Sequence, residues 1–300
     1  MVWRSVMVSR PAKLRREHYS LAIEQEQTAF VPFEDIAVIV LNHREITLTH
    51  PVLSACAEYG IGLYATGTNH QPAGVFLPFL AHSRATRMMR KQLAIARPTA
   101  KKAWAAIVRR KIENQAACLR LCGKEGVDRI ESYARRVRSG DPDHLEGQAA
   151  AFYFSQLFGQ DFHRAAERWI NAALDYGYAV LRGAIARGLV AHGLHPTVGL
   201  FHDSEQNAFN LADDLIEPFR ALIDLHVAAR PAATEGELIP TDKSALVALL
   251  NVDIAMPQGR MSALSAIEYA VESLVRVYEN DGSELALPTL IGLQPHRLEC

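Results

Sequence analysis

The hydrophobic pattern changes period once along the 300-residue chain, near position 80. Before that point, short valine- and isoleucine-rich runs lie between polar breaks: VWRSVMVS (2–9), HYSLAIEQ (18–25), TAFVPF (28–33), IAVIVL (36–41) and GIGLYAT (60–66). Runs of this length and composition predict strands. THPVLSACAEYG (49–60) interrupts them as a helix, with Thr49 or His50 as cap, Pro51 in the first turn and Gly60 at the exit. TGTNHQPAG (66–74) reads as a loop. Beyond about Leu80 the repeat is helical. A helix is expected from Asp141 as N-cap, with Pro142 in its first turn, to Gly159. A long helix follows over 167–193, a loop over 228–242 and a final amphipathic helix over 262–280. The predicted class is α+β: an N-terminal β domain, 1–79, and a larger all-α domain, 80–300.

One helix carries unusual polar chemistry. With residues 210–222 wound at about 100° per residue, Leu211, Leu215 and Leu222 share a stripe. Asn210, Asp213, Asp214 and Glu217 share another. Asp214 and Glu217 are three apart, hence adjacent. Such carboxylates repel unless a cation, a proton or bulk water separates them. Water on a solvated face is the ordinary solution. Two details weaken that reading, although a lone histidine is more often structural. Pro218 follows Glu217, and a proline here removes a helical hydrogen bond. His202, in the upstream loop, can return beside the helix, and imidazole with carboxylates suits Mn²⁺ or Mg²⁺. Glu146, among Gly147, Ala149, Ala150 and Ala151, is a third candidate ligand. Small neighbours permit close packing, and a partly buried glutamate requires a partner, whereas a glutamate at the solvated edge of the first helical turn, favoured by the helix dipole, is the equal alternative.

Composition adds an asymmetry that the net charge of −1 conceals. Residues 84–124 hold twelve basic side chains against one acid, a net +11, whereas 200–300 hold sixteen acids against six bases, a net −10. The basic segment suits a polyanion, with Arg84, Arg87, Arg90 and Lys91 at helical spacing and Lys101, Lys102, Arg109, Arg110 and Lys111 continuing the surface. A solvated basic helix is the alternative. Cys56, Cys118, Cys122 and Cys300 include no CxxC pair, so free thiols in a reducing cytoplasm are expected. No apolar run approaches a membrane span, and the N-terminus has no apolar core of a secretory signal.

Several stretches together, spread over nearly the whole chain, resemble the CRISPR-associated spacer-acquisition integrases, the universal adaptation nucleases of CRISPR systems. They include WRSVMVSRPAKL, ITLTHPVLSACAEYGIGLYAT, KIENQA, HLEGQAAAFYF, INAALDYGYAVLRGAIARGL, GLHPTVGLFH and NLADDLIEPFR. The N-terminal pattern looks most like the type II members, which accompany a single-protein RNA-guided effector nuclease. The resemblance implies a dimerising N-terminal β domain and a helical catalytic domain. It implies a metal site of Glu146, His202 and Glu217, with Asp214 supporting, a Mg²⁺ or Mn²⁺ cofactor, and DNA as substrate. It implies paired homodimers bridged by a small second adaptation subunit in a heterohexamer, with the effector nuclease as a further candidate partner. The implied reaction is metal-dependent insertion of short DNA fragments into a repeat array, a 3′-hydroxyl attacking a repeat phosphodiester. With water as nucleophile the same site would act as an endonuclease.

Two other readings use the same residues. A phosphohydrolase of small phosphate esters would share the carboxylates but not need the basic segment, so duplex binding separates it. A DNA-binding scaffold would leave Glu146, His202 and Glu217 structural, so Mn²⁺ titration of wild type and Glu146→Ala separates that.

Overall fold

The computed structural model describes residues 4–67, 72–79, 82–166, 168–230, 236–279 and 283–296. Parts of the expected loops at 66–74 and 228–242, the first residue of the helix expected at 167–193, and Cys300 lie outside them. The chain is α+β, strand-rich first and helical afterwards. β1 (Arg4–Val8), β5 (Ile36–Leu41), β7 (Gly62–Thr66) and β8 (Pro72–Phe76) form one sheet in that order. β1, β5 and β7 run parallel and β8 antiparallel to β7. A second sheet has the order β4 (Thr28–Pro32), β3 (Ser20–Glu24), β2 (Ala12–Glu17), β6 (Ile46–Leu48). α1 spans His50–Glu58, with Thr49 as N-cap.

The unbroken apolar run of β5 has a direct cause. Ile36 and Ile39 pack into a core shared with Leu14 and Leu21 of the second sheet and with Val52 and Cys56 of α1. Ala37, Val38 and Val40 face the opposite way, into the core of the helical part. A strand covered on both sides has no reason to alternate with polar residues. β2, β6 and β8 were not anticipated. In β2 only Ala12 and Leu14 are buried, so AKLRRE carries little strand signal.

The change from strand to helix falls between the end of β8 at Phe76 and α2 (Ala85–Leu93). α3 (Arg97–Leu121) crosses the helical part, flanked by α4 (Val127–Arg136) and α5 (Leu145–Phe158). α6 (Trp169–Ala191) is almost wholly buried. It meets the first sheet where the Tyr64 hydroxyl donates to the Gly183 carbonyl and Arg187 Nε donates to Gly60 O at 2.8 Å. Any side chain at Gly183 would collide with the Tyr64 ring, so glycine is required for this approach.

α7 (Asn210–Ile216) runs into a 3₁₀ turn (Glu217–Phe219) and then α8 (Arg220–Ala228). Pro218 therefore disturbs the helix as its chemistry demands. α9 (Pro240–Ala248) and α10 (Ala263–Glu279) complete the helices. The expected all-α character needs one addition. β9 (Asp253–Met256) and β10 (Gly259–Ser262) form a hairpin before α10. Cys56, Cys118 and Cys122 are free thiols.

Candidate active site

α7 is enclosed rather than amphipathic. Asn210, Leu211, Ala212, Asp214, Leu215 and Ile216 are all buried, and so is Glu217 just after it. The solvated-face reading therefore fails for Asp214 and Glu217, and each buried carboxylate must be matched by donors or cations.

Asp214 is matched by donors. It is fully buried and accepts backbone N–H bonds from Leu200 at 2.5 Å, Phe201 at 3.1 Å and His202 at 3.1 Å. His202 Nδ1 lies 2.8 Å from Asp214 Oδ1. Asp214 has no proton to give when ionised, so Nδ1–H is the donor and only Nε2 remains for another partner. The turn that wraps this carboxylate depends on Gly199, where a Cβ would run into the His202 carbonyl and the Asp214 carboxylate. The imidazole is held charged more readily than usual, first by its bond to Asp214. The Phe201 ring stacks on buried Trp104 with centroids 4.3 Å apart, fixing the loop from its other side. Asp213 points elsewhere, accepting from Asn207 Nδ2 at 2.7 Å with Arg182 at 3.8 Å.

Glu217 is matched by cations. Arg220 Nε donates to Oε1 at 3.0 Å, and Lys111 Nζ lies 2.5 Å from Oε2. Despite its burial, these partners hold the Glu217 carboxyl down at about 2, against 4.5 ordinarily. The same Lys111 ammonium also pairs with Glu146, so the two carboxylates converge on one cation from separate helices. Glu146 sits in the first turn of α5, and Asp141 positions that turn. The Asp141 side chain accepts the N–H groups of Leu145 and Glu146, each at 3.0 Å. The helix thus begins at Leu145 rather than at Asp141, which caps it from across a turn. Packing by small neighbours contributes less than expected, because Gly147 is exposed with open space around it and only Ala149 is buried.

Lys111 is the main correction to the basic surface. It is 7% exposed and belongs to this cluster, not to solvent. Ile107, Asn114 and Cys118 bury with it on one stripe of α3. A lysine on an apolar stripe is the signal that its role lies inward. Arg110 is also partly engaged, with Thr289 Oγ1 and Glu113 as partners, and Arg109 donates to Val137 O at 3.0 Å. Arg84, Arg87, Arg90, Lys101 and Lys102 are exposed and Lys91 half-buried. Two open clefts, about 590 and about 520 Å³, lie between the start of α3 and the end of α10. They share Thr99 and Val277, so they form one groove, with Arg87, Arg90, Lys91, Lys102 and Arg109 along it.

Asn114 and Asp224 support the cluster and were not anticipated. Asn114, one turn beyond Lys111, donates to the Pro218 carbonyl at 2.7 Å and the Pro288 carbonyl at 3.0 Å, pinning the turn that carries Glu217. Asp224 accepts from Tyr153 Oη at 2.9 Å and from Tyr178 Oη. The Arg220 guanidinium lies over the Tyr178 ring, 4.5 Å from its centroid. Burial pushes the Asp224 carboxyl up to about 6 from 3.8. The folded state then takes up a proton below about pH 6 while the unfolded chain waits until about 3.8, so this group adds stability as pH falls through that window. Relative to Asp224→Asn, wild type should therefore gain about 2 kcal/mol between pH 7 and pH 4.5. Urea unfolding at both pH values checks this, and a pH-independent difference would refute it.

Among the described residues, no three carboxylate, imidazole or thiol groups converge on one point. Glu146 and Glu217 share the Lys111 ammonium, and His202 is turned to Asp214. Even so, two carboxylates already share a cation, and the nearby imidazole feels the Glu217 charge and has its Nδ1 proton fixed. The donor set fits a hard divalent ion.

The family profile described as CRISPR associated protein Cas1 matches residues 6–234. A relative from Neisseria meningitidis serogroup C (strain 8013), named CRISPR-associated endonuclease Cas1, is 40% identical over 304 aligned positions, covering 100% of both chains. The chain belongs to the Cas1 family. Solved structures agree on the fold. A Cas1 protein from Thermotoga maritima superposes with a TM-score of 0.72 at 18% identity, covering 93% of this chain and 98% of that one. A casposase bound to integration product gives 0.70 at 19% identity, covering 95% and 93%. A chain of a partial Cas6-RT-Cas1–Cas2 complex gives 0.61 at 15% identity, covering 94% and 97%.

Proposed function

We propose that this Cas1-family chain is a metal-dependent DNA endonuclease and integrase that inserts short DNA fragments into a CRISPR repeat array. The observation that carries the reading is the convergence of Glu146 and Glu217, from two helices, on one buried cation. His202, fixed by Asp214, lies close enough to feel the Glu217 charge. The endonuclease name of the Neisseria relative and the integration product bound by the casposase support the same reading.

In the proposed strand transfer, a fragment's 3′-hydroxyl oxygen bonds to a repeat phosphorus, and the repeat's 3′-oxygen leaves and takes up a proton. One phosphodiester replaces another. A Mg²⁺ or Mn²⁺ held by Glu146, His202 and Glu217 would draw charge from the phosphoryl oxygens and acidify the attacking hydroxyl. The chain's own groups prepare that site. Asp214 keeps the Nδ1 proton in place so that Nε2 can act as a ligand, and Arg220 fixes one Glu217 oxygen. Asn114 holds the proline turn on which Glu217 sits.

The groove is the proposed DNA-binding surface. α3 connects it to the site, for Lys102 and Lys111 are about 14 Å apart along the helix at about 1.5 Å per residue. Partners on this reading are DNA, a second copy of the chain and a small Cas2-type subunit, the last supported by the Cas1–Cas2 neighbour. Strand transfer into a repeat-bearing plasmid is the direct test, with activity expected in Mg²⁺ or Mn²⁺ and none in EDTA. EDTA-resistant activity would refute the metal dependence. Duplex affinity should fall steeply with salt, with a log–log slope of about −4 to −5 if the five groove cations each meet a phosphate. Replacing Arg87, Arg90 and Lys91 together by alanine should flatten it by about 3. An unchanged slope would remove the groove from the DNA interface.

A further inference from the structure

Lys111 holds the place that the proposed cation requires. Its ammonium pairs with Glu146 and with Glu217 Oε2, and its side chain is 8% exposed. It reaches them from α3, to which neither glutamate belongs. The other Glu217 oxygen is taken by Arg220. Two carboxylates and two fixed cations leave the cluster neutral. A divalent ion sharing Glu146 and Glu217 must take carboxylate oxygens that the ammonium now pairs with, and its charge would repel the ammonium at that distance. A lysine is suited to give way, being a compact charge on a flexible four-carbon stem.

We propose that Lys111 is a tethered counterion of the metal site. It neutralises Glu146 and Glu217 in the metal-free chain, competes with the divalent ion for them, and swings off when the ion binds. The metal-free site is thereby stable without its cofactor, and metal affinity is set below what the ligands alone would give. This rests on the metal reading above, and the experiment separates the two.

Mn²⁺ binding to the metal-free full chain is followed by electron paramagnetic resonance for wild type, Lys111→Met, Lys111→Arg and Glu217→Gln. Lys111→Met should bind Mn²⁺ about tenfold tighter, the scale on which groups bonded to metal ligands alter affinity. Its metal-free melting temperature should fall while the Mn²⁺-induced rise grows. Lys111→Arg should bind no tighter than wild type. A second readout needs no variant. Amine acylation mapped by mass spectrometry should find Lys111 protected in metal-free wild type and modified faster once Mn²⁺ is present. Unchanged Mn²⁺ affinity in folded Lys111→Met, or Lys111 labelling that Mn²⁺ does not increase, overturns the proposal. Undiminished Mn²⁺ binding by Glu217→Gln would instead overturn the metal site itself.

Discussion

Glu217→Gln is expected to cut strand transfer by about 10²- to 10³-fold, the scale lost with one preorganised charge-stabilising group, and to leave duplex binding little changed. The two effects separate because Glu217 is buried in the cluster while the groove cations belong to α2, α3 and their flanks. Glutamine keeps the shape and one acceptor but cannot balance both Lys111 and Arg220. A stability loss accompanies it. Holding the Glu217 carboxyl at about 2 rather than 4.5 is worth about 3 kcal/mol above pH 4.5, and that contribution fades as pH falls from 4.5 towards 2. Wild type and variant should thus differ most at neutral pH and converge in acid. Thermal melts across pH, with a plasmid integration assay and a duplex gel shift at pH 7, check all three outcomes. Integration at wild-type rates would remove Glu217 from the chemistry.

Asp214→Asn is expected to damage the site without removing a ligand. One amide oxygen cannot accept what two carboxylate oxygens accept from three backbone N–H groups and the His202 ring. The amide NH₂ then faces donors in a fully buried place, costing about 3 kcal/mol. With the imidazole no longer held in one tautomer, Mn²⁺ affinity and strand transfer should each drop about 10- to 100-fold. Asp213→Asn is the control, since among the described residues the Asp213 side chain pairs with Asn207 and Arg182 and reaches the His202 imidazole through its charge alone, as the weakest of the influences on it. It should behave like wild type. Equal effects from the two neighbours would contradict the separate roles given to them.

The sequence carried some of this plainly and some not at all. The kink after Glu217 was legible because proline acts on its own backbone. The strands of β5 and β7 were legible because their apolar residues are covered by protein. β2 was not, since its strand character comes from pairing with β3 and β6 rather than from its own residues. Glu217 was marked by its helical spacing from Asp214 and by the proline after it, and His202 by its place in the loop just upstream, while the ligand set itself came from the family resemblance. Lys111 was misplaced because twelve basic residues within 84–124 look alike in sequence. What distinguishes Lys111 is its neighbours at helical spacing, Ile107, Asn114 and Cys118, all buried. Asp224 and Asn114 escaped notice because their partners are distant in sequence, 71 residues for Tyr153 and 104 for Pro218.

The central claim is that Glu146, His202 and Glu217 hold one divalent ion. Anomalous diffraction from crystals of the wild-type chain grown with Mn²⁺ tests it most directly. A single strong peak is expected, bounded by the Glu146 and Glu217 carboxylates and the His202 Nε2, with the Lys111 ammonium moved off them. A peak elsewhere, or none with Lys111 still bridging the two glutamates, would contradict it.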